Sequence, residues 1–415
     1  MVSIDRVLRM ALPQRQSAFL WGPRKTGKST YLRAAFPGSL TFDLLQTDLM
    51  LELARRPALL RERLLAADPR TLAHPVILDE VQRVPALLDE VHWLIENRGM
   101  RFILCGSSAR KLKRGGTNLL GGRAWRYEMH PLVSVEVRDL DLLQVLNRGL
   151  VPAHYLDAGY RRSLAAYVVD YLKEEVFDEG LTRNVAAFSR FFDAVGFSHG
   201  DLTNYANVAR DCGVDAKTVK EYYQILVDTL LGTFVLPWKR RQERQVIGKA
   251  AKFYLFDVGV AGALTRRRIL EPRGEQFGRA LEHFVLMEIL AHRSYRGLDH
   301  GVTFWRTKTG LEVDFVLGDG EVAVDVKGTS RVDPSDFRSL RAFKEDNRPR
   351  RTFLVCNERA PRVYEGIDVL PWREFLTRLW GGKVIWQARG REGRRAQGPH
   401  EPSPRPGTWP GPSRP

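Results

Sequence analysis

Short apolar runs alternate with stretches of helical period over residues 1–135. Ser17–Trp21, Leu40–Leu45, Val76–Leu78 and Phe102–Cys105 read as strands, and helix-like sequence follows from Lys28. Pro85–Asn97 and Ser108–Lys113 read as the helices between or after them. Repeated strand–helix alternation predicts an α/β domain with a mainly parallel sheet and helices on both faces. Residues 136–270 are mostly of helical period. From 271 to 386 the pattern becomes helix, then strands, then alternating αβ; Phe304–Arg306, Glu312–Leu317 and Glu321–Val326 read as consecutive strands around the turn Gly318–Gly320. Residues 387–415 are rich in Gly, Pro, Arg and Ser. Such a tail buries no core and is expected to be disordered and basic.

The first strand runs into Gly22-Pro23-Arg24-Lys25-Thr26-Gly27-Lys28-Ser29, a full G-x-x-x-x-G-K-[ST] match, followed by Thr30. Its glycines let the backbone wrap phosphate so that amide N–H groups point inward. Lys28 then reaches the β- and γ-phosphates and the Ser29 hydroxyl ligates Mg²⁺. The strand at 75–80 ends in Asp79 and Glu80, placed to hold the Mg²⁺ hydration shell and to polarise the attacking water respectively. Ser107, closing the next strand, is a candidate sensor of the γ-phosphate or lytic water; with Ser108 it also suits a helix N-cap. Gly121-Gly122-Arg123 supplies a candidate arginine finger, in its own subunit or a neighbour's.

These segments, with ILCGSSARKL at 103–112 and LLGGRAWRYEMHPL at 119–132, resemble a group of bacterial and archaeal AAA+-type ATPases that carry a C-terminal domain of unknown function. The resemblance covers roughly residues 5–375. It implies a P-loop AAA+-like ATPase domain at 1–135, ATP and Mg²⁺ as cofactors, and a homo-oligomer.

Two further constellations bear on function. Residues 201–226 read as a helix-turn-helix, with Leu202, Tyr205, Val208 and Ala209 on one apolar face, Gly213 at the turn and Asp215 capping a second helix. Lys217, Thr218, Lys220 and Glu221 face out. In a DNA-binding winged helix they enter the major groove, with Lys239, Arg240, Arg241 and Arg244 near a wing. The same architecture also serves as a protein-docking module. In the last third, Asp314 lies on one strand, and Asp325 and Lys327 share a face of the next by period-two alternation. Glu282, on a helix before them, completes a set able to bind Mg²⁺ or Mn²⁺ and activate water. Asp314, Asp325 and Lys327 resemble the PD-(D/E)xK nuclease pattern, which implies a restriction-endonuclease-like α/β fold at 271–386.

Composition extends the picture. Lys and Arg number 65 against 49 Asp and Glu, a net charge of +16, which makes DNA a natural partner. Cys105, Cys212 and Cys356 have no metal-site or disulfide spacing. No leader-like or membrane-length apolar stretch stands out, so a cytoplasmic protein without membrane contact is expected. Two functions fit: an ATP-driven enzyme acting on DNA, with metal-dependent nuclease activity, or an ATP-gated regulatory or docking protein whose C-terminal domain binds without cutting. A small-molecule P-loop kinase leaves the last two thirds without a role.

Overall fold

The computed structural model describes residues 4–13, 16–108, 110, 112, 120–171, 185–239 and 251–385. The tail at 387–415, Arg240, Arg241, Arg244 and most of the helix expected at Ser108–Lys113 lie outside the described residues.

Five strands form the N-terminal sheet: β1 (Ser17–Trp21), β2 (Thr41–Asp43), β3 (Val76–Asp79), β4 (Phe102–Gly106) and β5 (Ala124–Glu128). They pair in the order β2-β3-β4-β1-β5, all parallel. Alternation sends Phe19, Trp21, Leu78 and Leu104 to one face and Leu20, Ile77, Ile103 and Cys105 to the other. Both faces are buried, as the near-continuous apolar strands require. Because the strands are parallel, the phosphate loop after β1 and the acids ending β3 emerge on one edge. β4 runs between them.

The remaining strands build one eight-stranded sheet: β6 (Gly232–Pro237), β7 (Lys252–Leu255), β8 (Val302–Arg306), β9 (Glu312–Leu317), β10 (Val322–Val326), β11 (Arg351–Cys356), β12 (Arg362–Tyr364) and β13 (Ile367–Pro371). The β6–β7 hairpin arises in the largely helical stretch, yet β6 pairs in parallel with β8. The eight-stranded sheet therefore crosses the boundary that the periodicity places at 270. One face packs on the helices Glu275–Tyr295 and Trp372–Trp380, the other on Arg338–Asn347. All three cysteines are buried and unpaired. Among the described residues, no helix is long and apolar enough to cross a membrane.

Asp257, at the join, has a structural role. Its carboxylate caps the helix Val258–Leu264, accepting from the Gly259 and Val260 amides at 2.9 and 3.0 Å. It also accepts from the Leu150 amide at 2.7 Å, and a Cβ at Gly149 would overlap it. Asp257→Ala leaves three buried N–H groups without their acceptor. A loss of about 2–4 kcal/mol in unfolding free energy is expected from denaturant titration.

Candidate nucleotide site and C-terminal acidic cluster

The phosphate loop is shaped by close approach and by left-handed backbone. A Cβ at Gly22 would lie 2.5 Å from the Met129 carbonyl oxygen, while Lys25 and Gly27 take φ of 63° and 95°. The Thr26 hydroxyl donates to the Pro23 carbonyl at 2.8 Å and holds the loop in this shape. Lys28 folds back, its ammonium donating to the Gly22 and Pro23 carbonyls at 2.7 and 3.1 Å. The helix Lys28–Ala35 begins at Gly27 with no side-chain cap, leaving its first amides to an anion. Ser29 Oγ donates to Asp79 Oδ2 at 2.5 Å. A hydroxyl and a carboxylate so placed are hard donors of the kind Mg²⁺ takes, so these residues fit that ion.

Glu80 follows Asp79 in left-handed backbone, φ 57°, which turns its side chain off the end of β3. Burial pushes its carboxyl above the usual range, opposed by Lys28 and by a hydrogen bond from Gln82. Gln82 was not singled out by sequence reasoning. Its amide nitrogen donates to Glu80 and, at 3.1 Å, to Ser107 Oγ, and it is nearly fully buried. Ser107 thus sits with Glu80 across the β3–β4 gap. Gly106 makes room: a Cβ there would come within 2.1 Å of Gln82 Oε1. That glycine beside an acid–x–glutamine step is the signal that could have been read.

Arg123 lies elsewhere. It precedes β5, whose Ala124 pairs with Ser17 at the start of β1, so it stands at the sheet edge opposite the phosphate loop. There it ion-pairs with Glu96. Within one chain it does not join the nucleotide site.

The loop also meets the rest of the chain. Arg6, buried, donates to the Thr26 carbonyl at 2.7 Å, to the His130 and Pro131 carbonyls, and to the Tyr295 hydroxyl at 3.2 Å, while pairing with Glu136 at 3.0 Å. A cleft of about 750 Å³ opens beside it, walled by Lys25, Gly27, Thr30 and Tyr31 and, opposite, by Pro152 and Leu156.

The helices Tyr205–Cys212 and Ala216–Asp228 flank Gly213, whose φ is 67°. Asp215 accepts from the Lys217 and Thr218 amides at 2.8 and 2.9 Å, the expected cap. Lys217, Lys220 and Glu221 are exposed and Thr218 half-buried; Val219, Tyr222, Tyr223 and Leu226 are buried. Lys239 lies just past β6 and is exposed.

In the eight-stranded sheet, Val324 pairs with Phe315, and one further step of that register sets Asp325 opposite Asp314. Asp314 Oδ2 accepts from the Val326 amide at 2.8 Å, and Lys327 Nζ lies 2.9 Å from Asp325. Burial and the neighbouring Asp314 push the Asp325 carboxyl well above its ordinary range. Glu282 turns to other partners: it accepts from the Tyr254 hydroxyl at 2.5 Å and lies 3.6 Å from the Lys252 ammonium. Burial and Asp314 push it up to about 7. Among the described residues, no group of three His, Cys, Asp or Glu side chains converges as metal ligands do. Two ammoniums stand among these carboxylates, Lys327 beside Asp325 and Lys252 beside Glu282.

Residues 14–137 match the family model described as an AAA domain. The chain carries an AAA domain at its N-terminus. Residues 139–270 and 277–375 match two domains of unknown function, DUF8612 and DUF4143. The chain is 27% identical over 390 residues to uncharacterized proteins from Mycobacterium bovis (Mb2031c) and Mycobacterium tuberculosis (Rv2008c), covering 89% of this chain and 83% of each relative. No solved structure matches at a comparable level. The AAA domain supports nucleotide binding, and its phosphate loop and β3 acids are the residues on which that binding would rest.

Gln82→Ala should leave ATP binding intact and slow hydrolysis by roughly 10- to 100-fold. The hydrogen bond from Gln82 lowers the Glu80 pKa, so its loss should shift the acid limb of the pH–rate profile to higher pH. A profile unmoved from wild type would show that Gln82 does not act through Glu80.

Proposed function

We propose that the chain is an Mg²⁺-dependent ATPase that works as a switch, passing its nucleotide state to the helical segment and the C-terminal domain, with DNA as the polymer it contacts. The observation that carries this reading is the network at the end of β4. Ser107 faces Gln82 and Glu80, whereas the next residues hold the far end of the helix Ala216–Asp228. Ser108 Oγ lies 3.4 Å from the Asp228 carbonyl, and Arg110 pairs with the Asp228 carboxylate at 2.5 Å. A change at the γ-phosphate that moves Ser107 is thereby one residue from the outward-facing helix.

In this reading the nucleoside enters the cleft beside Thr30 and Tyr31. Lys28 leaves the loop carbonyls for the β- and γ-phosphates. Ser29 and Asp79 would hold Mg²⁺, which neutralises charge on the phosphate oxygens. Glu80 takes a proton from the attacking water as its oxygen bonds to the γ-phosphorus and the bond to the β–γ bridging oxygen breaks, giving ADP and phosphate. Its raised pKa suits a base working nearer neutrality. Arg123 can serve as a finger only for a neighbouring subunit of an oligomer. For the C-terminal domain, the ammonium of Lys252 among the acids favours binding without cutting over phosphodiester cleavage.

Glu80→Gln should retain ATP affinity and lose about 10²- to 10⁴-fold in hydrolysis, whereas Lys28→Ala should lose binding. Wild-type turnover in Glu80→Gln would mean that another group activates the water. Charge reversal of Lys217 and Lys220 to Glu should weaken DNA binding and lower the salt slope by about 2. An unchanged affinity and slope would remove this helix from the DNA interface.

A further inference from the structure

Four carboxyl groups meet three bases where β7, β8, β9 and β10 approach the helix Glu275–Tyr295: Glu282, Glu312, Asp314 and Asp325 against Lys252, Arg306 and Lys327. Lys252 is set apart by its origin. It comes from β7, within the 139–270 match, whereas all four acids lie within the 277–375 match. Its ammonium is 3.6 Å from Glu282 and in direct contact with Glu312, with Asp314 close enough to act on it. The Phe304 ring lies 5.5 Å from it, and its side chain is only 5% exposed.

We propose that Lys252 is the resident cation of this acidic cluster, so that the C-terminal domain keeps its carboxylates together without a divalent metal and does not cleave phosphodiesters. A divalent ion needs oxygen ligands at about 2.0–2.6 Å, and an ammonium in contact with Glu312 and 3.6 Å from Glu282 repels a second cation brought among these carboxylates. The lysine is built in. Its backbone pairs with Val235 of β6 and bridges to Leu202, and two residues on Tyr254 donates to Glu282. Withdrawing it would require opening the edge of the eight-stranded sheet. Removing one partner of such a buried set exposes the others to uncompensated charge.

The inference deepens the non-cutting reading of the C-terminal domain and is independent of the ATPase. Metal binding is read directly, so its failure is distinct from the outcome of any cleavage assay. Mn²⁺ binding to the full chain without nucleotide, followed by electron paramagnetic resonance of the free ion, is compared between wild type and Asp314→Asn. The two should bind the same number of ions. A Mn²⁺ present in wild type and lost in Asp314→Asn overturns the proposal. Lys252→Met should gain one Mn²⁺ that disappears again when Asp314→Asn is added. A folded Lys252→Met that gains none also overturns it. If Lys252→Met does not fold, the comparison of wild type with Asp314→Asn decides alone.

Discussion

One buried guanidinium ties the phosphate loop to three other parts of the chain at once. Arg6 spends its N–H groups on Thr26 of the loop, on the carbonyls after β5, on Glu136 and on Tyr295 of the long helix Glu275–Tyr295. A guanidinium so far from water is tolerable only when its donors find acceptors, here carbonyl, carboxylate and hydroxyl oxygens and the Met129 sulfur. That condition couples the parts. If the loop shifts at Thr26, either Arg6 follows or a buried donor is left open, and the same arginine reaches the helix that carries Glu282. Glu136, its counter-ion, also accepts from the Val7 and Val133 amides, which fixes the N-terminal segment against the chain leaving the sheet.

Two other contacts run from the AAA domain to the later segments. The end of β4 holds Asp228, and the Lys25 ammonium lies 5.4 Å above the Tyr167 ring. Glu288 gives a fourth tie, accepting from the Ser134 amide and hydroxyl at 2.7 Å and from the Trp380 indole at 2.6 Å. On the loop's side these ties use Arg24, Lys25 and Thr26, residues between the two glycines of its motif. The loop is thus held from outside by later segments of the chain, and in the proposed switch these contacts are where a nucleotide-dependent shift would be felt.

The strands were largely legible because apolar runs bounded by turn residues are a local signal. β1, β3, β4 and β8 to β10 fall where the alternation places them, within a residue or two at their ends. The β6–β7 hairpin was missed. Its residues lie in a helical neighbourhood, and their pairing with β8 depends on contacts more than sixty residues away in sequence. At the site, the P-loop and the β3 acids share one sheet edge because strand direction follows from the motif order. Arg123 fared otherwise, since a glycine pair before an arginine does not say which edge of the sheet it faces.

The sequence by itself determined the parts that are written in consecutive residues: a loop able to wrap phosphate, a strand ending in Asp79 and Glu80, and a capped helix pair around Gly213. Backbone conformation and period are local properties, so they survive in one dimension. Only the tertiary structure decided how charges are compensated. That Gln82 joins Glu80 to Ser107, that Arg6 spans the loop and Tyr295, and that Lys252 enters the acids of another segment all follow from burial. Burial presses polar groups to find partners wherever the fold happens to bring them.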